Sequence, residues 1–327
     1  MMGFMYSRRH FGKLALAGLP LTLAGGRINS TVSGVRIGVQ TYSFRNVLRQ
    51  PGDPVDGIIK AMTQVGLGEC EIFEPELQPP TLSANAPWAV TADGKVSEAS
   101  LFGRPPTGQL SAAQLANREE VRQWRLNVSL DHFTGVRKRF AAAGIGIFAF
   151  YYILKDDCTD AEVERGLEMT KALGAKVMTT SATLPLAKRI VPLVRKHGIL
   201  VAMHGHSNLA DPNQFATPDS FAKAVAMSNQ YRVNLDIGHF VASGFDPVAY
   251  IREHHAWITN IHIKDRKKND GPNVPFGQGD TPIKEVLQLL KANRYPIPAF
   301  IEYEYDGAGT PVDEVKRSYD YVKAALA

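Results

Sequence analysis

Four histidines stand close together where three successive apolar runs end. The first run closes as Val201-Ala202-Met203-His204-Gly205-His206. The second reads Asn234-Leu235-Asp236-Ile237-Gly238-His239, and the third Ile261-His262-Ile263-Lys264-Asp265. A fourth run, Phe300-Ile301-Glu302-Tyr303-Glu304, ends on acids. The whole chain has nine histidines, so four at three neighbouring tips is not scatter. Two imidazoles (His204, His262) and two carboxylates (Asp236, Glu302) suit one divalent ion of borderline hardness: Mn, Co, Fe or Zn. Magnesium suits them less, because it prefers all-oxygen ligands. Taken singly, a histidine at a strand end is more often hydrogen-bonded structure than a ligand. His206 and His239 are therefore read as either structural or substrate-contacting.

These side chains converge only if their runs are neighbouring parallel strands. The sequence supports that arrangement. Short Val-, Ile- and Phe-rich runs at 35–41, 69–74, 145–152, 175–181, 199–204, 232–237, 258–264 and 298–303 read as buried parallel strands. Segments with helical apolar spacing alternate with them at 56–64, 130–143, 161–173, 185–196, 219–228, 247–254, 283–292 and 312–325. Gly66, Gly144, Gly174 and Gly198 each sit between a helix and the next strand, where glycine ends a helix in the left-handed conformation. Eight βα units predict an α/β fold, a closed (β/α)8 TIM barrel, whose strand tips share one face. A barrel takes roughly 250 residues. The 327-residue chain then holds a leader (1–30) and one barrel domain (34–327) with an insertion after strand two (78–117). Length alone also permits two domains. The insertion carries Pro79-Pro80, Pro87 and Pro105-Pro106 among Ser, Thr and Gly. It leaves from the mouth face and reads as a lid or wall over the site, with an ornamental loop or a dimer contact as the alternative.

The start of the chain has a different character. Ser7-Arg8-Arg9-His10-Phe11-Gly12-Lys13 precedes an apolar run from Leu14 to Ala24. A basic head, an apolar middle and small residues after it fit an export signal, and the paired arginines resemble the twin-arginine type. The run is shorter than the ~20 residues that span a bilayer. The expectation is a periplasmic or secreted protein, passed through the twin-arginine export machinery, with no membrane span once mature. Hydrophobic residues make up 44% of the chain and charged ones 21%, an ordinary globular balance. The net charge of +5 owes much to Arg8, Arg9, Lys13 and Arg27, and no basic stripe is interleaved with aromatics. Nucleic acid is therefore not an expected partner. Cys70 and Cys158 lie in no CxxC pair. They read as buried thiols, and export would also permit a disulfide.

The second half resembles the xylose-isomerase-like barrels called sugar phosphate isomerase/epimerases. The resemblance runs from Val35 to the end of the chain apart from 78–117. It is carried by Leu235-Asp236-Ile237-Gly238-His239, His262-Ile263-Lys264-Asp265, Gly277-Gln278-Gly279 and Ile301-Glu302-Tyr303-Glu304. It implies that Asp236, His262 and Glu302 are metal ligands. Many relatives carry Glu-Asn-His on strand five, the glutamate being ligand and base. Here His204-Gly205-His206 stands there, a form that a subset of the group shares. His204 takes the ligand place, and one base of a symmetric two-glutamate mechanism is gone.

The chemistry this implies is enolisation of a keto sugar or sugar derivative, with the charge that develops on oxygen stabilised by the ion and a side chain taking the proton. Returning the proton to the other carbon isomerises, and returning it to the other face epimerises. Loss of a β substituent would be lyase or dehydratase chemistry. Glu302 and His206 are candidate bases. Glu304 shares a strand face with Glu302, and Lys264 shares one with His262. Lys264 either holds developing negative charge or pairs with Asp265 or Glu304. Glu71 and Glu74, on strand two, are candidate substrate contacts. The expected partner is a small carbohydrate, a free sugar, an oxidised sugar or a (keto-)glycoside rather than a sugar phosphate, since an exported protein would meet few phosphorylated sugars and no glycine-rich phosphate cradle precedes a helix. A homo-oligomer remains open. A non-catalytic carbohydrate-binding barrel is the competing class, and a metal-dependent endonuclease a remote one.

Overall fold

The computed structural model describes residues 26–79, 81–82 and 112–327. Most of the predicted leader (1–25) and most of the predicted insertion (80 and 83–111) lie outside the described residues.

Eight parallel strands close into one ring: β1 Val35–Gln40, β2 Glu69–Phe73, β3 Gly146–Tyr151, β4 Val177–Thr180, β5 Leu200–His204, β6 Tyr231–Asp236, β7 Ile258–Ile263 and β8 Ala299–Ile301. Closure is direct, with β8 pairing in parallel with β1 through Ile301 and Val39. All eight predicted strands are present, with bounds that differ from the predicted ones by two residues or fewer at either end. A short antiparallel turn, Thr31–Val32 on Val35 and Arg36, precedes β1. The far end of the barrel is plugged by Phe148 against Phe300, ring centroids 5.6 Å apart. Gly38 is the residue that fits beside that plug: a Cβ there would meet the Phe300 ring at 2.5 Å.

The outer layer is helical: α1 Pro54–Val65, α2 Ala112–Asn127, α3 Leu130–Ala142, α4 Asp160–Ala172, α5 Leu184–Arg189, α6 Val191–His197, α7 Pro218–Met227, α8 Ile237–Ala242, α9 Pro247–His254, α10 Ile283–Asn293 and α11 Pro311–Leu326. Their apolar faces and the outward residues of the strands form one continuous core, including Ile58, Met62, Val163, Leu167, Val286, Leu290, Val315 and Val322. Local signals set their ends. Thr159 with Glu162 and Thr310 with Asp313 form capping boxes. Gly66 and Gly198 stop α1 and α6 at φ +87° and +64°, as the spacing predicted. The predicted single helix over 185–196 is instead α5 and α6, broken at Ile190. Pro192 explains the break, since it lacks the N–H a continuous helix would need there.

Helix α2 is absent from the predicted elements, and its chemistry says why. Its inward face mixes Val121 and Trp124 with three arginines, Arg118, Arg122 and Arg125. The arginines pair with Asp157, Glu162 and Glu74. Apolar periodicity, the main sequence signal for a helix, is weak when arginines interrupt the docked face. Cys70 and Cys158 are both buried thiols. Among the described residues no helix is long and apolar enough to cross a membrane.

Candidate metal centre

The ends of β5, β6, β7 and β8 bring His204, Asp236, His262 and Glu302 together. One potential ligand atom from each lies within 4.8 Å of the others, and all four side chains are buried. The register explains the convergence: His204 is level with Asn234, Asp236 with His262, and His262 with Phe300. In parallel strands of a closed barrel, inward residues at matched heights form a layer.

The layer beneath aims the imidazoles. His204 Nδ1 donates to Asn234 Oδ1 at 2.5 Å, which keeps the lone pair on Nε2. Glu71 on β2 reaches across the barrel. One oxygen accepts from Gln40 at 2.8 Å and from His262 Nε2 at 3.1 Å, and the other accepts from Asn260 at 2.8 Å. A carboxylate on the far nitrogen is the usual way a ligating histidine is oriented and made more basic. Glu71 thus supports His262 rather than lining the mouth alone. Sequence reasoning missed Gln40, Asn234 and Asn260. The signal was available for two of them, because each asparagine lies two residues before a predicted ligand and so on the same strand face.

Lys264 is buried among three carboxylates. Its Nζ is 3.0 Å from Asp236 Oδ2 and 3.0 Å from Glu302 Oε2, and it donates to Glu304 Oε2. Of the two ion-pair partners predicted for it, Glu304 is present. Asp265 instead accepts backbone N–H bonds from Gly277, Gly279 and Thr281 at 2.8, 2.9 and 3.2 Å, so the predicted glycine motif forms a loop wrapped on one carboxylate.

The electrostatics follow from this crowding. Burial opposes the charge on Lys264, yet Asp236, Glu302 and Glu304 outweigh it and hold the ammonium well above its usual range. Burial likewise opposes charge on Glu302, but Lys264 and His262 hold it well below the carboxylate range. Burial lifts Asp236 to about 6 against the pull of Lys264. Glu304 rises to about 7, lifted by burial and by Glu302 against Lys264. His262 is driven up by Glu302 and Glu71 despite its burial. His204 falls to about 3 through burial and the neighbouring His262. Burial also holds His206 and His239 well below their ordinary value, with adjacent cations adding to it.

The other predicted residues fall in two places. His206 and His239 join the cluster, with ring centroids 4.8 Å (His206 to His204) and 5.0 Å (His206 to His239). Gly205 between the histidines is sterically required: a Cβ there would stand 2.8 Å from the Phe215 carbonyl oxygen and 2.7 Å from Phe221. Glu74, predicted as a substrate contact, is tied down elsewhere. Arg125 of α2 grips it through two bonds of 2.7 Å, and Ile153 N–H adds a third at 2.9 Å.

The family model described as "Xylose isomerase-like TIM barrel" matches residues 138–325. The chain belongs to that family. Among curated proteins, the L-ribulose-5-phosphate 3-epimerase UlaE of Salmonella paratyphi B is 26% identical over 179 residues, covering 54% of this chain and 55% of that protein. The chain thus spans about half the length of the curated relatives it matches. Among solved structures, a sugar phosphate isomerase/epimerase from Parabacteroides distasonis superposes with TM-score 0.55 at 18% identity, over 89% of this chain and 96% of that one. The 3-keto-D-glucoside 4-epimerase YcjR of E. coli superposes with TM-score 0.57 at 12% identity, over 89% and 99%. Likenesses at such identity carry the fold, and the xylose isomerase-like barrel is the fold observed.

Proposed function

We propose that this barrel is a divalent-metal-dependent isomerase or epimerase. Its substrate class is a keto sugar or sugar derivative, and it acts by removing a proton beside a carbonyl. The observation that carries the proposal is the convergence of two imidazoles and two carboxylates from four consecutive strand ends within 4.8 Å. That donor set fits Mn, Co, Fe or Zn, and His204, Asp236, His262 and Glu302 would hold the ion. The fit has one cost. Lys264 Nζ now bridges Asp236 and Glu302 at 3.0 Å each, so loading would push the ammonium toward Glu304. When bound, such an ion supplies Lewis-acid stabilisation of the oxygen that gains charge as the proton leaves.

The chain's own groups do the rest. Glu71 and Asn234 hold the two ligand imidazoles in fixed orientations. Lys264 places a positive charge against the acids and balances them when a proton arrives. Glu304, raised to about 7, can both take and return a proton near neutral pH, the condition for efficient acid–base catalysis. His206 is kept neutral by burial, and the same burial opposes its protonation, which makes it the weaker candidate base of the two. The family resemblance and the epimerase named among the relatives support a sugar substrate. The basic and apolar start of the chain supports a periplasmic or extracellular setting, in which free or oxidised sugars are the expected encounter.

The test is isotope exchange. The protein loaded with Mn or Zn and incubated with keto sugars in deuterated water is expected to introduce deuterium at the carbon next to the carbonyl. Glu304→Gln is expected to slow that exchange by roughly 100-fold or more. Absence of exchange across a panel of ketoses and keto-glycosides would refute enolisation.

A further inference from the structure

Glu302 stands just past the end of the strand ladder that would normally hold it. Strand β8 pairs with β1 only as far as Ile301 opposite Val39. Beyond Gln40 the chain winds into 3-10 turns over Thr41–Arg49, so it has no extended backbone to set against Glu302 and Tyr303. On the β7 side one bond remains, from the Glu302 N–H to the Ile263 carbonyl at 3.0 Å. In a parallel ladder the slanted bonds tie the carbonyl before a residue and the N–H after it to the neighbouring strand. For Glu302 those two groups are the Ile301 carbonyl and the Tyr303 N–H, and β1 ends before it can reach them.

Ser43 reaches them with its side chain. Its hydroxyl accepts from the Tyr303 N–H at 3.0 Å and donates to the Ile301 carbonyl at 3.3 Å. A hydroxyl is both donor and acceptor, so one atom replaces the missing peptide unit. Ser43 is fully buried, where an unpaired N–H or carbonyl would be costly. Arg45, two residues on, adds a third bond, from Nη1 to the Tyr303 carbonyl at 2.8 Å. Its guanidinium lies over the rings of Tyr42 at 4.8 Å and Tyr303 at 5.2 Å, contacts that favour one placement. Both residues are some 260 positions away from Glu302 in sequence, and neither is among the predicted site residues.

We propose that Ser43 is a positioning residue for Glu302, with Arg45 as a second prop. Neither acts on the substrate. Together they fix the backbone on both sides of Glu302, so that its carboxylate, 2.9 Å from His262 and 3.0 Å from Lys264, meets the other three ligand groups. Metal–ligand distances hold to about ±0.2 Å, so ~1 Å of slack in this backbone loosens the whole set. The effect on the ion rests on Glu302 being a ligand; the hold on the backbone does not.

The experiment has two arms on the full-length protein. One titrates the metal-free protein with Co2+, read by visible absorption and by calorimetry. The other measures exchange of the Tyr303 amide hydrogen without metal. Ser43→Ala is expected to exchange that amide roughly 10-fold faster or more. It is also expected to bind Co2+ roughly 10- to 100-fold more weakly, with a changed absorption spectrum. The control is Thr170→Ala, which removes another fully buried hydroxyl, bonded to the Gly166 carbonyl at 2.7 Å within α4; wild-type affinity and spectrum are expected. Wild-type affinity and spectrum in Ser43→Ala overturn the proposal, and so does an equal loss in Thr170→Ala, which would reduce the effect to general destabilisation. If Ser43→Ala does not fold, Arg45→Met carries the titration, and wild-type behaviour there overturns the proposal. A wild-type protein that takes up no Co2+ sinks the metal reading, and the exchange arm then decides alone: a protected Tyr303 amide that is freed in Ser43→Ala upholds the hold on Glu302, and equal rates overturn it.

Discussion

Glu74 and Arg125 allow a sharp test of which carboxylates serve the mouth and which hold the barrel together. Arg125 is 3% exposed and Glu74 fully buried. The guanidinium makes two 2.7 Å bonds to Glu74, one of 2.8 Å to the Ile153 carbonyl and one of 3.2 Å to Glu162. It also lies 4.5 Å over the Tyr152 ring. Arg125→Met keeps the apolar stem and removes the charge. Glu74 would retain only the Ile153 N–H at 2.9 Å and Gln78 at 3.3 Å. Breaking a buried pair from one side costs about 3–5 kcal/mol, because the remaining charge stays desolvated. In a domain of nearly 300 residues that lowers Tm by roughly 5–8 °C. Glu74→Gln combined with Arg125→Met removes both charges and should recover part of the loss, a coupling of about 2 kcal/mol. Calorimetry and urea unfolding of the wild type, both single variants and the double variant measure it. Arg125→Met within 1 kcal/mol of wild type, or strict additivity, would refute the clamp and return Glu74 to the candidates for substrate contact.

Three further outcomes are expected. His262→Ala should lose stoichiometric divalent metal by elemental analysis while keeping a helical circular dichroism spectrum; full metal retention would show that the ligands are misassigned. Gly205→Ala should destabilise by about 1–3 kcal/mol, the cost of forcing an atom into packed surroundings, since its Cβ would press on the Phe215 carbonyl; an unchanged Tm contradicts that. Glu76 gives a pH effect. Burial lifts its carboxyl from 4.5 to about 8 against hydrogen bonds from Thr41 and the Phe73 N–H and the charge of Arg45. The folded state thus binds this proton more tightly than the unfolded chain does. Its contribution is complete below pH ~4.5 and lost as pH rises through ~8, at most about 5 kcal/mol. Glu76→Gln should flatten that decline in unfolding free energy, and a parallel decline in the variant would exclude Glu76 as its source.

The barrel was readable because buried parallel strands announce themselves as short β-branched runs, and His204, Asp236, His262 and Glu302 because each ends one. The remaining features depend on partners distant in sequence. Nothing near Glu74 points to an arginine some fifty residues further on, and α2 hid because arginines interrupt the apolar spacing of its docked face. Asn234 and Asn260 were legible in principle by their two-residue offset from ligands. The break at Ile190 was signalled by Pro192 and overridden in the sequence reading by the apolar spacing on either side.

The loop after β7 has a length it cannot easily change. Three of its amides, from Gly277, Gly279 and Thr281, end on the single carboxylate of Asp265, the residue next to Lys264. One added or deleted residue would detach at least one amide and slacken the rim where the ammonium sits. Diversification of ligand choice on this side of the mouth must therefore proceed by exchanging side chains.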